Sequence, residues 1–152
     1  MFQDLRTHDM GLLAQSLFQR TYRKSEVLFE EGEIGRALFM VESGAVEIIK
    51  RGKADSPQVL ALCGAGDFFG EMALLEETPR SAAAVAQTDT TVYLLYKTKL
   101  DSLLLAHAHA GIPVLRRLAE LLSARLRHTS DRLAETSGMV GVNYTISTTA
   151  QG

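Results

Sequence analysis

The chain carries one cysteine, Cys63, among its 152 residues, which excludes an intrachain disulfide and makes a reducing cytoplasm its simplest home. It has no run of about 18 apolar residues, so no membrane-spanning helix is expected. The opening MFQDLRTHDM lacks the charged-then-apolar layout of a secretory signal. A basic excess is missing as well: 16 Lys and Arg against 18 Asp and Glu give a net charge of −2, with an isoelectric point near 6.1. That balance gives no support to a nucleic-acid binder. Catalytic groupings are absent from the pattern. No Ser or Cys has an evident base, and Glu71 has no second carboxylate nearby in sequence. His107 and His109 stand two apart, which on a helix points them to different sides, and no Cys, Asp or Glu cluster joins them. His8 and His128 have no partner legible in the sequence. Neither an enzyme nor a metal site is expected.

What is present suits one domain with a buried core: 46% of residues are hydrophobic and 22% charged. Residues 9–20, DMGLLAQSLFQR, space Leu12, Leu13, Leu17 and Phe18 for a short amphipathic helix that Asp9 caps. From Thr21 to Tyr96 short β-prone runs follow: VLFE, ALFMV, AVEIIK, QVLALC, AAAVAQ and TTVYLLY, divided by turn signals such as EEGEIG and KRGKADSP. Ser43-Gly44 reads as a tight hairpin turn. Helical spacing returns at Lys97, breaks at Gly111 and Pro113, and resumes with Pro113 in the first turn of a last helix. Ser137-Gly138 ends that helix, and a tail over 138–152 follows, loose or added as a strand to something else. The expected fold is mainly β with flanking helices. An antiparallel jelly-roll barrel of about eight strands over 21–96 has an N-terminal helix before it and two C-terminal helices over 97–137.

One loop of this barrel has unusual content: GDFFGEMALLEETPRSAA, residues 66–83. Gly70-EMALL suits a short helical turn, whose N-terminus presents unpaired N–H groups to an anion. Gly70 lets a ligand approach the backbone closely. Arg80 supplies a charge-assisted partner for a phosphate, Ser81 a hydroxyl, and Ala82 and Ala83 keep the wall low. Glu71 is out of place beside an anion unless it accepts hydrogen bonds from a sugar hydroxyl. Phosphate at one end and ribose at the other describe a compact nucleotide. The bland alternative is a surface ion pair between Glu71 and Arg80, worth about 0–1 kcal/mol. GAGDFFG has one residue too many for a dinucleotide fingerprint and leads out of an antiparallel pattern.

GDFFGEMALL–EETPRSAAAVA resembles the phosphate-binding cassette of cyclic nucleotide-binding domains, and VLFEEGEIGRALFMVESGAVEI resembles that family's first strands. The resemblance covers roughly residues 10–135 and implies roles by position. Glu71 binds the ribose 2′-OH and Arg80 the cyclic phosphate, while Gly70, Ser81 and Ala82 complete the phosphate site. RLRHTSDRL, residues 125–133, is similar to the dimer helix of bacterial catabolite activators, in which adjacent Thr and Ser reach the adenine. Thr129 and Ser130 match those positions, although hydroxyls on a helix often just face water. Two departures stand out. The catabolite activators continue into a helix-turn-helix domain, whereas only a short tail follows here, so transcription-factor activity does not carry over. The kinase regulatory subunits have an acid after the glycine at the Gly35 position, where this chain has Arg36. That acid helps to hold the phosphate arginine, so either the orientation of Arg80 rests on something else or affinity for the ligand is weaker.

The resulting expectation is a cytoplasmic cyclic nucleotide sensor over residues 1–137. Its ligand is cAMP, with cGMP as the second candidate. It forms a homodimer through the helix over 113–136 and acts on a downstream protein, without nucleic acid or membrane. The alternative is a protein-interaction module that keeps the fold and no longer binds nucleotide; a DNA-binding regulator ranks third.

Overall fold

The computed structural model describes residues 7–51 and 56–137. The chain divides into two compact units, residues 1–114 and 115–152. The first unit begins with α1 (Thr7–Gln15) and then runs through eight strands. These are β1 (Leu17–Tyr22), β2 (Val27–Phe29), β3 (Ala37–Ser43), β4 (Val46–Arg51), β5 (Pro57–Cys63), β6 (Phe68–Phe69), β7 (Ala83–Ala86) and β8 (Thr90–Tyr96). A single 3-10 turn, Glu71–Leu74, stands between β6 and β7, and α2 (Lys97–Ala106) follows β8. The last helix, α3 (Ala108–Ser137), begins in the first unit, and the described part of the second unit is its length from Leu115 on.

The strands form two antiparallel four-stranded sheets, one in the order β1-β8-β3-β6 and the other β2-β7-β4-β5. Alternation along β3 directs Ala37, Phe39 and Val41 into the space between the sheets. Phe29, Val46, Phe69, Ala84, Val92 and Leu94 meet them there. Three phenylalanines make the centre of this core: the Phe39 and Phe69 rings stack at 5.3 Å, and Phe29 lies tilted at 5.4 and 6.0 Å from them. Leu38 pairs with Leu95 on the opposite face of its sheet, and both are wholly buried. Leu100 and Leu103 of α2 are buried as well, and α2 packs on β8. Apolar burial of this extent, at ~25 cal/mol per Å², is what holds a jelly roll closed.

Five sequence expectations change. Leu17 and Phe18 do not extend the first helix; they open β1, paired with Leu95 and Leu94 of β8. Pairing along the edge of a sheet outweighs the weak helical spacing. Asp9 is no cap: it lies inside α1, 2% exposed, with its carboxylate Oδ1 3.5 Å from His109 Nε2. The His8 ring stacks on His109 at 6.3 Å, so His8 does have a partner. Ser43-Gly44 joins no hairpin, because β3 and β4 belong to different sheets; the turn carries the chain across the core. Finally, the break between the last two helices falls at His107, whose φ of −140° and ψ of 64° are not helical. Gly111 and Pro113 both lie inside α3. Pro113 is the sixth residue of α3, past the four whose N–H groups lack an intrahelical acceptor, so it costs the helix one hydrogen bond. The expected tail over 138–152 lies outside the described residues.

Candidate functional site

The loop between β6 and β7 is built on the hairpin-like stretch 32–35. Arg80 N–H donates to the Glu33 carbonyl at 2.7 Å, Gly32 N–H to the Arg80 carbonyl at 2.8 Å, and Gly35 N–H to the Thr78 carbonyl at 2.9 Å. Ile34 and Pro79 form a bridge between the two segments. Backbone pairing therefore fixes where the Arg80 side chain leaves the chain, before any ligand is considered.

That side chain runs inward to the core. Its Nη2 donates to the Ala37 carbonyl at 2.8 Å and its Nη1 to the Gly70 carbonyl at 3.2 Å. The guanidinium carbon lies 4.2 Å from the centre of the Phe29 ring and 5.6 Å from that of Phe39, close enough for cation–π attraction. Burial lowers the Arg80 pKa, and the negative fields of Glu33 and Glu71 oppose that fall. The charge thus faces a desolvation cost that an incoming anion would relieve. No acid follows Gly35, and none is needed to aim this arginine: two carbonyls and an aromatic face do so.

Two glycines make room for it. A Cβ on Gly35 would stand 2.9 Å from the guanidinium carbon, and one on Gly70 would stand 2.5 Å from Nη1. Gly70 also has φ 75° and ψ 21°, a left-handed conformation that side chains disfavour. It leads directly into the 3-10 turn, which presents Glu71 first. Glu71 is 9% exposed, a rare state for a carboxylate on a loop. The expected helical turn is present, but in its tighter 3-10 form, with Ala73 N–H donating to the Gly70 carbonyl at 3.2 Å. Ser81 is exposed and Ala82 buried. The Ser81 carbonyl is held by Lys50 Nζ at 2.7 Å, and Lys50 in turn lies 3.4 Å from Glu31.

Gly70, Glu71, Arg80, Ser81 and Ala82 are therefore gathered in the first unit. Thr129 and Ser130 belong to the second, on α3. Thr129 is exposed, and its hydroxyl donates to the carbonyl of Arg125 one turn back, at 3.0 Å. Sequence reading missed Phe29, Glu33 and the Ala37 carbonyl. They come from turns and strands some 40 to 50 residues upstream of Arg80, and no local spacing announces them. Among the described residues no group of three or more His, Cys, Asp or Glu is placed to hold a metal ion. No described helix is long and apolar enough to cross a membrane.

Comparison with known proteins bears on this geometry. The family model of the cyclic nucleotide-binding domain matches residues 19–107. A cyclic AMP receptor protein of Thermus thermophilus is 37% identical over 84% of this chain and 57% of its own length. A cAMP-dependent protein kinase regulatory subunit of Yarrowia lipolytica is 36% identical over 68% of this chain and 27% of its own. This chain thus spans less than two thirds of either relative. Among solved structures, a cyclic nucleotide-binding domain from Methylobacillus flagellatus superposes with a TM-score of 0.81 at 32% identity. It covers 90% of this chain and 76% of its own.

Proposed function

The chain belongs to the cyclic nucleotide-binding domain family, and from that premise we propose that it is a cAMP sensor rather than an enzyme. The observation that carries this reading is the guanidinium of Arg80, half-buried and aimed by Ala37, Gly70 and Phe29 beside the buried carboxylate of Glu71. Arg80, with Gly70, Ser81 and Ala82, takes the cyclic phosphate. Glu71 accepts the ribose 2′-OH. One charge of each sign, fixed at adjacent places, fits a ligand that is an anion on one side and a diol-like sugar on the other.

The base meets α3. Ile112, Ala119, Leu126 and Leu133 recur every seven residues on that helix and are all exposed, with Leu115, Leu122 and Thr129 completing a heptad seam. Leu118, at 2% exposure, belongs to another face. A seam of this kind favours a second copy of the chain, and Thr129 and Ser130 then reach the adenine from that interface. Ligand closure repositions the segment from about Lys97 onward, and this movement is the output to a downstream protein. Nucleic acid and membrane are not partners in this reading. The rival reading, an interaction module that has lost its nucleotide, is not favoured, because Arg80 keeps its orientation without the missing acid.

Calorimetric titration with cAMP and cGMP, beside the Arg80→Ala variant, tests the proposal. Saturable binding of cAMP, weaker binding of cGMP and loss of both in the variant are expected. Absence of binding by the unaltered chain would overturn it.

A further inference from the structure

Away from the cassette, at the start of the barrel, lies a second hollow of about 390 Å³ lined by Phe18, Gln19, Arg20, Tyr96, Thr98 and Lys99. Its floor is aromatic: the Phe18 ring meets Tyr96 edge-on at 5.5 Å, and Phe18 stays 44% exposed. Its rim is cationic. Lys99 Nζ lies 5.7 Å from the Phe18 ring centre, and Arg20 is exposed on the same strand face as Phe18. Neither cation has a carboxylate within ion-pair distance among the described residues. Arg20 is engaged with the Tyr22 side chain instead. The hollow borders β1, which stands at the end of its sheet and pairs with β8 alone. Its other edge has no strand beside it among the described residues, so backbone donors and acceptors there are open to an added strand.

We propose that this surface docks an extended acidic segment of a partner protein, which adds to the free edge of β1. Acidic side chains of that segment meet Arg20 and Lys99, and an apolar one enters the hollow over Phe18 and Tyr96. Charge complementarity commits the occupant. Two cations with no carboxylate partner among the described residues, beside an apolar hollow and a free strand edge, select for an extended acidic peptide. Residues 138–152 contain no Asp or Glu to match the two cations. Strand addition supplies affinity through the backbone, and the side-chain pockets supply choice. The proposal does not depend on nucleotide binding, since no residue of the hollow belongs to the cassette.

The experiment uses the intact chain without nucleotide. A fluorescein-labelled peptide of about ten residues alternating glutamate with valine is titrated by anisotropy, with its lysine–valine counterpart as control. Saturable binding of the acidic peptide is expected, weakened about tenfold or more in an Arg20→Glu/Lys99→Glu variant and falling with added salt. Amide shifts should concentrate on Leu17–Tyr22. Both substituted residues are exposed, so an unchanged unfolding midpoint serves as the folding control. Absence of saturable binding, equal binding of the two peptides, or equal binding by the variant would overturn the proposal. So would tighter binding of a single-stranded oligothymidylate, which would reassign the cations to phosphate.

Discussion

The cassette around Arg80 and the helix around Thr129 differ in how much of their geometry exists before a ligand arrives. Arg80 has two carbonyl acceptors, an aromatic face and two nearby acids, and its backbone is pinned on both sides by residues 32–35. Among the described residues Thr129 has only the Arg125 carbonyl of its own helix, and it is exposed. On the proposed reading the cassette takes the phosphate and ribose; it is pre-organised, so binding there would lose little conformational entropy. The proposed base end, Thr129 and Ser130, consists of hydroxyls that would become useful only when something else is brought to them. Affinity should therefore reside in the cassette, and discrimination between bases in the helix.

The strongest way to break this contrast is Arg80→Ala. A buried phosphate without its counter-charge should lose about 2–5 kcal/mol of binding, roughly 30-fold to a few thousandfold in Kd. A calorimetric loss of less than about threefold would mean that the arginine serves the fold alone. Glu71→Ala comes next, with a loss of about 1.5–3 kcal/mol for hydrogen bonds accepted by a charged group. Here the ligand can be altered in parallel. If Glu71 holds the 2′-OH, 2′-deoxy-cAMP should bind the variant no worse than cAMP does, while binding the unaltered chain more weakly. Two additive losses would place the carboxylate elsewhere.

Gly70→Ala sharpens the contrast from the side of the fold. A left-handed φ of 75° with a Cβ set 2.5 Å from Nη1 should cost about 1–2 kcal/mol of stability, read from the denaturation midpoint, and should also weaken cAMP binding by displacing Arg80. Gly66 is its control: it has φ 89° and open space around its missing Cβ. Gly66→Ala should lower stability alone. If both variants bind cAMP as the unaltered chain does, the guanidinium is not held where its carbonyl partners place it.

Much of this was legible in the sequence, and the gaps have physical causes. β8 was readable residue for residue, because TTVYLLY is an unbroken run of β-prone residues that ends at a helix start. β1 was not, since LFQRTY sits on a sheet edge where most of its side chains stay exposed and no alternation marks it. The Ser43-Gly44 turn announced a change of direction, but a turn signal does not say which strands will pair. In the site, Glu71, Gly70 and Arg80 could be picked out because their residue types are odd in a short loop. Phe29 and the Ala37 carbonyl could not. A phenylalanine in a strand has a sufficient reason to be there as core, and a backbone carbonyl has no sequence signature at all.

The smallest expected effect falls on the helix. Thr129→Val keeps the shape of the side chain and removes its hydroxyl, which in the free chain satisfies only the Arg125 carbonyl. Since Thr129 is exposed, water replaces that bond and stability should change by less than about 0.5 kcal/mol. Binding of cAMP should weaken by about 0.5–1.5 kcal/mol, the net worth of one neutral hydrogen bond. The two nucleotides share phosphate and ribose, so on the proposed reading the cassette would treat them alike and only a base contact would separate them. Titration of the variant should accordingly narrow the gap between cAMP and cGMP while leaving the loss in an Arg80→Ala background unchanged for both. If selectivity survives Thr129→Val and Ser130→Ala together, the base is read by the barrel, and the division of labour between the two regions fails at its weaker end.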